Sequence, residues 1–88
     1  MIEFNEFKKE VCSFYRQNGE ELTYFICTNP DWQKCSVEVE FRLENVSILF
    51  SYKLSQGYPN KAQRDKKADK LMRELSKDLK SIEKELKE

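Results

Sequence analysis

The sequence predicts an α+β domain in the order helix, strand, strand, strand, helix. That order gives an α-β-β-β-α two-layer sandwich: a three-stranded antiparallel sheet, helices packed on one face, and a long C-terminal helix. Three observations carry this reading. Apolar residues recur at three- and four-residue steps near the N-terminus, they alternate with polar ones through the middle of the chain, and residues 61–87 contain neither Gly nor Pro.

Phe4, Phe7, Val11, Phe14 and Tyr15 fall on one helical stripe from about residue 4 to 17. Asn18-Gly19 ends it, with Gly suited to the left-handed position past a helix C-terminus, and Asn5 or Glu6 suits the positive end of the dipole. Leu22, Tyr24 and Ile26 then alternate with Thr23, Phe25 and Cys27, the two-residue period of a strand, until Asn29-Pro30-Asp31 breaks it. The clearest pattern is Val37-Glu38-Val39-Glu40-Phe41-Arg42-Leu43, a half-buried strand. After Glu44-Asn45 the alternation resumes with Val46, Ile48, Phe50, Tyr52 and Leu54 on one face. A two-residue connection in which Asn takes positive φ predicts a tight hairpin. One face of this sheet is expected to be covered by helices and the other wet.

Gln56-Gly57-Tyr58-Pro59-Asn60 is turn chemistry, and a long helix follows. Its apolar positions Ala68, Met72, Leu75, Leu79, Ile82 and Leu86 form a heptad seam, widened by Leu71 in the first half. The expected division has residues 61–75 covering the sheet and 76–88 forming a helical extension beyond the core. That extension reads either as a solvated tail or as a homodimer contact through Leu79, Ile82 and Leu86. Fewer than three heptads need help from elsewhere to dimerise.

With 88 residues there is one domain, 1–88, burying only about 60% of the surface its unfolded chain exposes. At 36% charged, 12% aromatic and net charge zero, the composition is that of a folded chain with a small core and a charged surface. No apolar run spans a membrane and the acidic start lacks a secretion signal, so a cytoplasmic protein without a membrane partner is expected. Cys12, Cys27 and Cys35 are an odd set without CxxC spacing, which predicts reduced thiols, a Cys27–Cys35 bridge being the alternative.

There is no histidine and no Gly-rich phosphate loop, so no catalytic residues, metal site or cofactor are assigned, and an enzyme is not expected. Asp31 with Glu20 or Glu21 as an acid and base, and Cys35 activated by Lys34, are the weak exceptions, each outweighed by a solvated or structural reading. Charge distribution is more informative. From residue 52 to 73, Lys53, Lys61, Arg64, Lys66, Lys67, Lys70 and Arg73 oppose only Asp65 and Asp69, whereas acids outnumber cations on both sides. A basic helix entry either attracts an anion or merely solvates a helix face.

In topology the chain resembles the double-stranded RNA-binding domain. The likeness runs through Phe14-Tyr15-Arg16-Gln17-Asn18-Gly19, Tyr24, Ser36-Val37-Glu38-Val39-Glu40-Phe41 and Asp65-Lys66-Lys67-Ala68-Asp69-Lys70-Leu71-Met72, covering about residues 4 to 76. The resemblance implies RNA contacts from Gln17 and Lys9, from the loop Asn29 to Lys34, and from Lys66, Lys67 and Lys70 on phosphates. The sequence departs from that family in a loop without Gly-Pro or His, in a third strand without glycines, and in Asp69 where a lysine is expected.

Two functions are therefore weighed first. One is a protein-interaction module of inhibitor, immunity, anti-defence or adaptor type, using Phe25, Leu49 and the Glu38, Glu40, Arg42 row of the outer sheet face, with Trp32 in its loop. The alternative is nucleic-acid binding through Lys61, Arg64, Lys66, Lys67 and Lys70, aided by Gln17 and Lys34. An enzyme, or an oligomerisation role for the last helix, comes behind both.

Overall fold

The computed structural model describes residues 3–54 and 58–87. Its elements are α1 (Phe4–Asn18), a short 3-10 turn (Gly19–Glu21), β1 (Thr23–Pro30), β2 (Cys35–Leu43), β3 (Val46–Lys53) and α2 (Lys61–Leu86). This is the expected α-β-β-β-α order. The strands form one open antiparallel sheet ordered β1-β2-β3. The Gln56-Gly57 part of the expected turn lies outside the described residues, but Asn60 closes the connection by capping α2, its side chain accepting from Gln63 N–H at 2.8 Å.

Both helices pack on the same side of the sheet. The strict alternation of β2 puts Val37, Val39 and Phe41 under them, all fully buried, and Glu38, Glu40 and Arg42 on the other side. Phe14 and Tyr15 of α1 pack on Phe41 with ring centroids 5.2 and 5.5 Å away, and Phe4 and Phe7 close on Tyr52. Val46 and Ile48 have the expected parity but remain exposed, with Leu43 beside them. Phe14 also packs on Phe50, with ring centroids 5.4 Å apart.

The second half of α2 departs from expectation. The described part of the expected extension, residues 76–87, does not run beyond the core: Leu79 is 0% exposed and Ile82 2%, while Leu86 packs half-buried against the core. The reason is the groove between α1 and β1. Lys8 of α1 pairs with Asp78 at 3.3 Å on one side, and Tyr24 of β1 donates to Glu83 at 3.1 Å on the other. A helix seated in a groove buries a narrow seam, so heptad spacing here marks intramolecular packing and offers no face for a homodimer. Burial and the Glu83 carboxylate push the Tyr24 phenol up to about 12.

Two turn residues act differently from expectation. Gly19 adopts φ −81°, an ordinary right-handed conformation. Glycine is needed there for space, because a Cβ would lie 2.5 Å from Tyr15 Cδ1 and 2.7 Å from Leu86 Cδ1. Gly19→Ala is expected to destabilise by about 1 kcal/mol, the overpacking cost exceeding the gain in chain stiffness, measurable by urea unfolding. In the hairpin, Glu44 takes the positive φ, 50°, and Asn45 does not. Strand pairing on both sides, Leu43 opposite Val46, imposes that conformation on Glu44.

Candidate functional site

With both helices on one side, nothing among the described residues covers the other face of the sheet. Register sets its rows: Phe25, Glu40 and Leu49 lie abreast, flanked by Thr23, Arg42 and Ser47 toward the hairpin and by Cys27, Glu38 and Ser51 toward the other end. Phe25 is 57% exposed and Leu49 59%. The Arg42 guanidinium lies 5.4 Å from the Phe25 ring centroid and is paired with Glu40. Asn29 donates to Glu38 at 3.0 Å. The face is thus a small apolar centre held in a polar, hydrogen-bonded frame.

At the far end of this face, the loop between β1 and β2 is built on Asp31. Its carboxylate accepts from Gln33 N–H at 2.7 Å and Lys34 N–H at 2.8 Å, which holds it below the usual carboxylate range. Asp31 N–H donates to Lys34 C=O at 2.8 Å. These bonds project Trp32 outward, where it is exposed. Below it lies a cleft of about 250 Å³ lined by Trp32, Gln33, Leu54, Tyr58, Lys61 and Arg64. Asp31 stands at the opposite end of β1 from Glu20 and Glu21, so no acid and base pair forms.

The basic entry of α2 is rearranged relative to expectation. Arg64 is only 7% exposed: its guanidinium donates to the Asp31 carbonyl and pairs with Asp65 at 3.1 Å, so it ties α2 to the loop and is withdrawn from solvent. Lys61, Lys66 and Lys70 are exposed and Lys67 half-buried. The exposed cations also continue past the entry. Lys66, Lys70, Arg73, Lys77, Lys80 and Lys84 follow steps of three and four, forming a crest opposite the buried Ala68, Leu71, Leu75, Leu79 and Ile82. The crest spans roughly 27 Å at 1.5 Å per residue. Of these cations only Arg73, bound to Asp69 at 3.0 Å, makes an ion pair among the described residues. The sequence signal was present in the spacing, but charges summed by segment conceal it, because Glu74, Asp78, Glu83 and Glu85 occupy the flanks.

The structure brings the loop that carries Lys34 beside Lys61 and Arg64, through Asp31, Trp32 and Gln33. Gln17 is not with them: it sits next to Gly19, whose neighbour is Leu86 at the other end of α2. Lys9 is exposed on α1 near Asp78 and Ser81. Leu79 and Ile82 belong to the core and are withdrawn from solvent, and Leu86 lies half-buried at its margin.

The cysteines are free. Cys27 lies on the open face opposite Glu38, whereas Cys35 is buried under the helices, so the two thiols occupy opposite sides of the sheet and cannot bridge. Burial, reinforced by Asp65, pushes the Cys35 thiol up, the reverse of activation by Lys34. Among the described residues no group of three or more His, Cys, Asp or Glu is placed to hold a metal, and no helix is long and apolar enough to cross a membrane. Comparison of the chain with family models, with characterised proteins and with solved structures gave no match.

Proposed function

We propose that this chain is a small non-catalytic protein-interaction module, of inhibitor, immunity, anti-defence or adaptor type, that binds its partner through the uncovered sheet face. One observation carries the reading: the row Phe25, Glu40, Leu49 presents two large apolar side chains to solvent at the middle of a rigid sheet, with Arg42 stacked on Phe25. An aromatic anchor with an arginine at its side, rimmed by polar groups, is the composition of an interface hot spot. The partner that fits it offers an apolar pocket for Phe25 and a cation for Glu38 and Glu40.

The test is capture from nuclease-treated native extract by the intact chain and by a Phe25→Ala, Leu49→Ala double variant. The double variant is expected to lose the captured protein by more than about tenfold, since each truncated hot-spot residue costs about 1 to 2 kcal/mol. Both positions are exposed, so its unfolding midpoint should match that of the parent chain. Equal capture by both forms counts against the reading.

A second reading, double-stranded RNA binding, is favoured by the cationic crest of α2. Phosphate contacts along it predict affinity that falls steeply between two salt concentrations and is lost in a Lys66→Glu, Lys70→Glu variant. Absence of binding at low salt removes this reading.

A further inference from the structure

The edge of the sheet at β3 carries an inference beyond the function proposed above. β3 runs against β2 in one unbroken register, from Ser36 opposite Lys53 to Leu43 opposite Val46. In such a pair, alternate residues turn both N–H and C=O toward the neighbouring strand, and the residues between turn theirs away. Leu54 N–H donates to Cys35 C=O at 2.9 Å, so the even-numbered residues of β3 serve β2. Ser47, Leu49 and Ser51 therefore direct their N–H and C=O groups outward, where the sheet has no further strand among the described residues.

An edge of this kind is normally guarded by charge, proline, a bulge or a covering element. From Val46 to Tyr52 there is no charged residue and no Pro, and the register shows no bulge. Val46, Ile48 and Leu49 are exposed. The opposite edge is different, since β1 ends in Pro30 and has α2 docked along its Tyr24 end.

We propose that β3 pairs antiparallel with β3 of a second copy, about a two-fold axis at Leu49, joining two sheets of three strands into one of six. The sequence of the strand is self-complementary in that register. Leu49 faces Leu49 of the second copy, Ser47 faces Ser51, Ile48 faces Phe50 and Val46 faces Tyr52. Lys53, the strand's one charge, comes beside the Glu44-Asn45 turn of the other copy. The outward groups of Ser47, Leu49 and Ser51 then make about six backbone hydrogen bonds across the axis. Sliding the pairing by two residues sets Leu49 against serine and Ser47 against Lys53, so the dyad at Leu49 is the favoured register. The dimer uses the strand edge and does not depend on Phe25 binding a protein.

Sedimentation over a concentration series, with amide exchange at single residues, tests it. The intact chain should reach the mass of two chains as concentration rises, with the Ser47, Leu49 and Ser51 amides becoming slow to exchange. Leu49→Lys sets like charges across the axis and should raise the dissociation constant by at least about tenfold. Leu49→Pro removes an N–H that the single chain leaves unpaired and should likewise abolish the dimer. In both variants the Ile48 and Phe50 amides, bonded to β2, should stay slow, which shows that the fold persists. Phe25→Ala should leave the dimer intact, so failure of the protein-binding reading leaves this result unchanged. A one-chain mass up to about 1 mM overturns the proposal. So does a dimer that survives the Leu49 variants, or one in which the three outward amides still exchange fast.

Discussion

A chain ending at Ser76 will not fold. It lacks Leu79 and Ile82, both in the core, and the Glu83 carboxylate that accepts from Tyr24. Each buried Leu or Ile lost to truncation costs about 2 to 5 kcal/mol, and two of them consume most of the roughly 5 to 15 kcal/mol by which a domain is stable. A milder version gives a number: Leu79→Ala should lower the unfolding free energy by about 3 kcal/mol, read from the urea midpoint at unchanged slope. A residue beyond the core would change it by no more than about 0.5 kcal/mol, so the measurement separates the two arrangements.

Arg64→Ala is expected to cost about 2 kcal/mol and to loosen the β1–β2 loop. The substitution leaves the Asp31 carbonyl without its guanidinium donor and opens the floor of the cleft beneath Trp32. Removing one partner of a fully buried ion pair costs about 3 to 5 kcal/mol. Asp65 retains a third of its exposure, so water solvates it and the smaller figure applies. Arg64→Lys should recover little, because a single ammonium does not bridge the Asp31 carbonyl and the Asp65 carboxylate as the planar fork does. Urea unfolding reads the stability, and a shift in Trp32 fluorescence reads the loop.

The sheet was legible in the sequence because its period was unmixed. In Val37 to Leu43 every second residue is charged or apolar by turn, so parity alone placed Glu38, Glu40 and Arg42 on the open side, and the same parity placed Phe25 and Leu49 there. What stayed hidden depends on contacts between distant segments. Nothing near Leu79 or Ile82 says that α1 and β1 leave a groove for them. Arg64 reads like its neighbouring lysines until the loop carbonyl of Asp31, 33 residues earlier, is brought to it. Gly19 illustrates a different limit: glycine answers both a need for positive φ and a need for space, and only the positions of Tyr15 and Leu86 tell which. The crest of α2 was written in the three- and four-residue spacing of its cations, opposite the apolar seam of the same helix.

The free thiols give the open face a reporter that needs no engineering. Cys12 and Cys35 are buried and burial raises both thiols, so their thiolates are scarce; Cys27 alone stands exposed, one row from Phe25 and Leu49. A maleimide dye or a spin label added to the native chain will therefore attach at one position. The rate of that attachment, followed with and without a candidate partner, is a direct gauge of whether the face is covered.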